Sequence, residues 1–429
     1  MKLSTKHLTA AEDASKLLDK AAGSMRVLKS VSWDGAVGAQ FLTSGADSLP
    51  LVKYKRMKTR DARDAIKKAR ELIDGDNTVF DWLRRTADTL ETTADMIDAR
   101  GTADFYTHSE KLFGTPKRLL LDGKTQVLEL AHHVDQTLDD LTAADLVLDG
   151  VDESLTAQDF AERLRPQLKE HFGRAAPKVM LSPTLSAKAT ASSKRIRVRA
   201  GAQFTQMDVR QLLQHEALVH AATGLNGKRQ KNFPILGRAH AGTTQIQEGL
   251  AVFAEMIAGT MDPVRFRRLA DRVITIQMAV DGADFIEVYR FYLERTDDPQ
   301  QSYENTRRVF RGGVLTGGAP FTKDMVYLNG LLRVHNFLRM VVKLNRADLI
   351  RLLFVGKLDL EDIPALATLA DAGELVTPQF MPEWSKDLRF VVSYLAYSSF
   401  LNRVKLPGFQ GYYEDMLSQT PDVWSFVGT

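Results

Sequence analysis

Leu212-Leu-Gln-His-Glu-Ala-Leu-Val-His220 is the stretch on which the reading of this chain turns. Two imidazoles, with a carboxylate directly after the first, stand inside an apolar-periodic run. This is how a helix builds a hydrolytic zinc site: the histidines hold the metal and the glutamate works on the bound water. The common spacing is His-Glu-x-x-His, and His215 to His220 is one residue longer. At 3.6 residues per turn, positions i and i+4 lie about 40° apart, whereas i and i+5 lie about 140° apart. An undistorted helix would splay the two rings too widely to share a metal. Either the pairing is an accident of packing or the helix is distorted here, and a one-residue π-bulge would bring the rings back together.

The flanking residues favour a site. Thr205 with Asp208 three residues later is a capping-box pattern, and Val209, Leu212, Leu213, Ala217, Leu218 and Ala221 follow at helical spacing. Upstream, Lys194-Arg-Ile-Arg-Val-Arg199 alternates with period two, as a strand with one wet face does. Downstream, Thr244-Gln-Ile-Gln-Glu-Gly-Leu-Ala251 reads as a second helix start, with Thr244 and Gln247 in capping positions. Catalytic zinc commonly takes three protein ligands and a water. Glu248 is the expected third ligand, because Gly249 beside it leaves room for close backbone approach. Glu255, one heptad further on the same face, is the alternative.

The pairing of His215-Glu-Ala-Leu-Val-His220 with Gln247-Glu-Gly-Leu-Ala251 resembles the microtubule-associated tyrosine carboxypeptidase family, whose bacterial branch is labelled flavohemoglobin expression-modulating QEGLA-motif proteins. Phe105-Tyr-Thr-His-Ser-Glu-Lys-Leu-Phe-Gly-Thr-Pro116 resembles the family's Ser…Tyr-Gly-x-Pro segment, with Phe113 in place of tyrosine. Arg308-Val-Phe-Arg-Gly-Gly313, Phe321-Thr-Lys-Asp-Met-Val-Tyr-Leu-Asn-Gly330 and Pro50-Leu-Val-Lys-Tyr54 resemble further segments. The resemblance spans residues 45 to 400. It implies a zinc metallocarboxypeptidase with His215, His220 and Glu248 as ligands and Glu216 as general base. It also implies a peptide or protein C-terminus as substrate, tyrosine being the residue released by eukaryotic relatives.

Composition sets bounds. The chain has 429 residues, net charge +3 and no cysteine. A strong nucleic-acid or membrane field is not expected, and disulfides, cysteine nucleophiles and thiolate metal sites are excluded. Any zinc must use His and carboxylate. Met1 to Lys20 lacks an apolar h-region and no stretch approaches 18 apolar residues, so the expected setting is cytoplasmic.

Helical signals dominate, over Asp61 to Ile73, Val79 to Ala99, 105 to 150 and Thr156 to Phe172. Strands are expected near Lys178 to Leu181, Arg195 to Arg199 and Leu51 to Tyr54. After the second motif, Asp262-Pro263 starts a helix to about Met278, and another runs from Asp281 to Arg295. A glycine-rich loop, Gly312 to Gly318, precedes a helix over Lys323 to Val342. Pro364, Pro378, Pro382 and Pro407 mark later breaks. The expected fold is mostly α (α+β): a zincin-like metallopeptidase core with a small sheet and many surrounding helices. The expected divisions are a poorly ordered segment at 1–45, a helical region at 46–155 and the catalytic region at 156–429.

Other residues carry weaker signals. A carboxypeptidase must hold a terminal carboxylate, which Arg does with two parallel hydrogen bonds; Arg311 is the first candidate and Arg308 the second. Lys323 and Tyr327, at i and i+4 of one helix, can stabilise an oxyanion. His240 lies between the two motifs and can line the cleft, although a loop histidine commonly satisfies carbonyls. His132-His133 point apart on a helix, His335 reads as a core residue, and His7, His108 and His171 form no constellation. Lys194 to Arg199, taken as a strand edge, could accept an acidic peptide through main-chain hydrogen bonds. Two other functions share these residues: a zinc-binding regulatory protein without turnover, and a zinc amidohydrolase of a small non-peptide substrate.

Overall fold

A computed structural model describes residues 4–142, 154–183, 185, 187–401, 411, 412, 415, 416 and 418. The end of the expected 105–150 helical stretch, and Pro407, lie outside the described residues. The protein is mostly helical, with one small sheet.

Most of residues 4–45 is helical. Ser4 caps a helix over Thr5–Ser24, its hydroxyl accepting from the His7 amide at 3.2 Å. Ala11, Ala14 and Leu18 on that helix are fully buried. Small residues at this spacing let it pack closely against the helices Arg60–Leu72 and Thr78–Asp98. The second of these starts where the Asp74-Gly-Asp-Asn77 break predicts, with Asn77 accepting from the Val79 and Phe80 amides. Its buried face joins a core that also holds Val219, Leu250, Phe253 and Leu353. That core crosses the expected boundary at 156.

The sheet has the order β1–β3–β2, built from β1 (Lys178–Ser182), β2 (Ala189–Ala191) and β3 (Arg195–Arg199). β1 runs parallel to β3 and β2 antiparallel to it. Two expectations are corrected. The third strand is Ala189–Ala191, whereas Leu51–Tyr54 forms none. The basic strand β3 is central, so its main chain is already paired on both sides and cannot take up a peptide. Its alternation holds: Ile196 and Val198 are buried, and Arg195 and Arg197 face water.

From β3 the chain turns through the Thr205–Asp208 capping box into Gln206–Leu212, which continues as a π-helix over Leu213–Ala221. The Glu248 helix spans Ala241–Ile257, starting a turn before the expected Thr244 cap. The Thr244 hydroxyl instead bonds back to the His240 carbonyl at 3.0 Å. It crosses the helix Val326–Lys343 with the two backbones in contact. A Cβ on Gly249 would lie 2.1 Å from the Gly330 carbonyl carbon, and one on Gly330 would lie 2.2 Å from the Gln245 oxygen. Only glycine permits this crossing. Asp262 caps the helix Pro263–Val280 by accepting from the Arg265 amide at 2.7 Å.

Candidate metal and catalytic centre

The π-helix answers the spacing question raised by the motif. Its i→i+5 hydrogen bonds bring residues five apart onto one face. The rings of His215 and His220 stand with centroids 4.8 Å apart at 86°. From the facing helix, Glu248 Oε2 lies 3.4 Å from His215 Nε2 and 3.4 Å from His220 Nε2. Among the described residues, these three form a group able to hold a metal ion, with one ligand atom from each lying within 4.8 Å of the others. Two nitrogens and a carboxylate oxygen form a donor set that suits zinc. Glu216 follows His215 in the π-helix and is 7% exposed.

Glu255 is thereby placed one step back. Its carboxylate meets His215 Nδ1 at 2.5 Å, on the ring edge away from Glu248. Arg265 holds Glu255 from behind with two hydrogen bonds of 3.0 Å. A carboxylate on Nδ1 fixes the tautomer whose Nε2 lone pair faces the ligand group and raises its basicity. Arg265 is the residue that sequence reasoning missed here. Its signal was a charged side chain on the buried face of an amphipathic helix.

The electrostatics favour a cation. Burial opposes a charged His215 ring, but the hydrogen bonds it donates to Glu248 and Glu255, with the charges of Glu255 and Glu216, lift it to about 10. Burial also opposes ionised Glu248, yet Lys323 and the two histidines hold it well below the carboxylate range. Glu255 is pulled down to about 2 against its burial, by Arg265 and His215. A divalent ion answers the same field while the rings bind it deprotonated.

A second cation, half-buried, escaped the sequence reading altogether. Lys357 Nζ donates to Gln247 Oε1 at 2.9 Å and to the His220 carbonyl and Thr223 hydroxyl at 3.3 Å each. The Thr223 hydroxyl also reaches Gln247 at 2.8 Å and the Val219 carbonyl at 2.8 Å. This cluster satisfies carbonyls at the end of the π-helix and ties it to the residue preceding Glu248. Burial pushes Lys357 down to about 8, against the raising charges of Glu248 and Glu216. Nothing in the sequence near Lys357 marks it, because the contact depends on a loop folding back from 110 residues beyond Gln247.

Lys323 sits in a 3₁₀ turn, Thr322–Met325, and the helix containing Tyr327 begins only at Val326. The expected shared helix face is therefore corrected to a turn beside a helix. The two side chains still meet, Lys323 Nζ lying 5.3 Å from the Tyr327 ring centre and 3.5 Å from Glu248 Oε1. Arg308 is engaged by Asp324 through two hydrogen bonds, of 2.6 and 3.0 Å, and reaches the Tyr327 hydroxyl at 3.3 Å. Arg311 is buried against the Phe321 ring. His240 precedes the Glu248 helix, about 12 Å along its axis from Glu248 at 1.5 Å per residue. Burial pushes His240 down to about 4. His132, His133, His335, His7, His108 and His171 stay outside the centre.

The site thus joins a ligand group that could hold a metal ion to an adjacent buried carboxylate and nearby cations. The sequence pattern of the microtubule-associated tyrosine carboxypeptidase family matches residues 39–403, and the chain belongs to that family. A comparison with curated proteins found no match.

Proposed function

We propose that the protein is a zinc-dependent metallopeptidase that releases a C-terminal residue from a peptide or protein. The observation that carries this reading is the convergence of His215, His220 and Glu248, which only the π-helix permits, with Glu216 beside them. Membership of a family named for tyrosine carboxypeptidase activity supports the reaction class and makes tyrosine the first residue to test. In this reading β1–β3, the motif helix and the Glu248 helix form a zincin-like core. Residues 46–155 are a helical region beside it, and 156–429 hold the catalytic machinery. No helix among the described residues is long and apolar enough to cross a membrane. The reading takes the setting as cytoplasmic, with neither membrane nor nucleic acid as partner.

His215, His220 and Glu248 would hold the ion, and Glu255 with Arg265 would keep His215 in the binding tautomer. Bound zinc supplies a water of lowered pKa and polarises the scissile carbonyl. Glu216 takes the proton of the attacking water and returns it to the leaving amine. Tyr327 accepts from Arg308 through its oxygen, which leaves its hydroxyl hydrogen free to donate to the developing oxyanion. Lys323 shares that task from beside Glu248. Arg311 and Arg308 are the candidates to hold a terminal carboxylate.

Glu216→Gln is the direct test. The variant should keep one zinc per chain by elemental analysis and lose release of C-terminal residues from a peptide library. Substantial residual release would remove Glu216 from the role of base.

A further inference from the structure

The return from π to α register leaves the motif helix one donor short. The Ala222 amide bonds five residues back, to the Ala217 carbonyl. The Lys228 amide bonds four residues back, to the Gly224 carbonyl. Between these two bonds, six carbonyls, Leu218 to Thr223, face five amides, Thr223 to Gly227. One carbonyl must find its donor elsewhere, because a buried carbonyl left without one is costly. Val219, Ala222 and Thr223 are fully buried, so solvent does not supply it.

Two side chains do. The Lys357 ammonium donates to the His220 carbonyl at 3.3 Å, and the Thr223 hydroxyl reaches the Val219 carbonyl at 2.8 Å. An ammonium has three hydrogens and a hydroxyl one. Lys357 gives its other two to Gln247 Oε1 at 2.9 Å and the Thr223 oxygen at 3.3 Å, which leaves the Thr223 hydrogen for Val219. Gln247 turns its oxygen toward this cluster, although its own Nε2 is then buried with no partner among the described residues.

The backbone delivers Lys357 to this point rigidly. Its amide donates to the Leu236 carbonyl at 2.7 Å. The same oxygen would lie 2.1 Å from a Cβ on Gly227 and 2.6 Å from one on Gly356. The end of the motif helix, the Leu236 turn and the Lys357 loop therefore meet with no side chain between them. Two residues on, Asp359 accepts from Arg333 at 3.0 and 3.2 Å, and Arg333 also donates to Gln245 at 2.9 Å. Gln245 and Gln247 both lie on the Glu248 helix. One loop is thus fastened to both helices that carry the ligand group.

We propose that Lys357 is a positioning residue for the metal group. With Thr223 it holds the π register that brings His220 beside His215, and through Gln247 it holds Glu248 against them. In an uninterrupted α register every one of these carbonyls would have its amide, so the extra donors favour the widened form alone. Without them the bulge closes or moves along the helix, and either change turns His220 by about 100° relative to His215. The role rests on the metal-centre reading and deepens it: a residue that offers no ligand atom sets the ligand geometry.

The test is metal binding by the full chain carrying Lys357→Met, which keeps the stem and removes the donors, or Thr223→Val, which removes one hydroxyl. Zinc affinity is read by chelator competition. Cobalt(II) in place of zinc gives visible absorption whose position and intensity report ligand number and geometry. Either variant should bind zinc about 10- to 100-fold more weakly, as loss of an outer partner of a metal site does, and should shift the cobalt spectrum. Thr223→Val decides the case if Lys357→Met does not fold. Unchanged zinc affinity in the variants overturns the proposal. So does a loss of affinity with the wild-type cobalt spectrum retained, because the ligands would then still converge. If wild type binds neither ion, the metal-centre reading itself fails, and this role with it.

Discussion

Gly249→Ala should separate the two helices on which the metal group depends. The added methyl would meet the Gly330 carbonyl carbon at 2.1 Å, its oxygen at 2.3 Å and its Cα at 2.6 Å. All three are backbone atoms of another helix, so no side chain can swing aside. Reaching an ordinary contact of about 3.4 Å needs about 1.3 Å of helix displacement, in a core packed as densely as a crystal. Overpacking of this kind costs typically 1–3 kcal/mol and sometimes more. Alanine returns up to about 1 kcal/mol in helix propensity; with the cost at the upper end of the overpacking range, because only backbone atoms are met, the expected net loss is about 2 kcal/mol. Glu248 adjoins the displaced residue, so zinc affinity should fall together with stability. Urea unfolding and competition with a zinc chelator measure the two effects on the same preparations. Gly35→Ala is the control, because its Cβ would meet nothing within 4 Å. A Gly249→Ala protein within about 0.5 kcal/mol of wild type, a range typical of neutral surface changes, would refute the claim that this crossing fixes Glu248.

Glu255→Ala should lower zinc affinity about 10- to 100-fold, as loss of a carboxylate behind a metal-bound histidine does; unchanged affinity in the chelator competition would assign Glu255 to Arg265 alone. Asp362 offers a pH test outside the metal ligand group. Its carboxylate accepts from the Asp359 amide at 2.8 Å, and burial followed by the charge of Asp359 pushes it up to about 7. A carboxyl with a raised folded pKa binds its proton more tightly when folded, so this group destabilises above pH 7 and is relieved as pH falls toward 4. Asp362→Asn should therefore compare more favourably with wild type at pH 8 than at pH 5 in parallel urea titrations, and an equal difference at both pH values would show that Asp362 is not perturbed.

The group that could hold a metal was more legible in the sequence than the architecture around it was. Residues whose role is local announced themselves. Thr205 with Asp208, and Asp262 before Pro263, cap as their patterns predict. The spacing from His215 to His220 forced a choice between accident and a π-bulge, and the bulge is present. What failed was whatever depended on distant partners. The helix Thr5–Ser24 gave little signal, because its buried face is mostly alanine and carries little hydropathy, yet alanine is what close packing requires. β3 read as an edge because no periodicity reports the number of neighbours, and Ala189–Ala191 is too short to signal a strand. Glu248 and Glu255 were indistinguishable by heptad position, and Arg265, arriving from another helix, separated their roles.

The π-helix also has a meaning for sequence comparison. An insertion inside an ordinary helix turns everything after it by about 100° and breaks its packing. Here the extra residue between the histidines is absorbed within Leu213–Ala221, and the helix resumes over Ala222–Gly227 with buried Ala222, Thr223 and Asn226 still meeting their partners. A search that demands fixed four-residue spacing would pass over such a centre. Read in reverse, two metal-binding residues five apart on one helix predict where its backbone must widen.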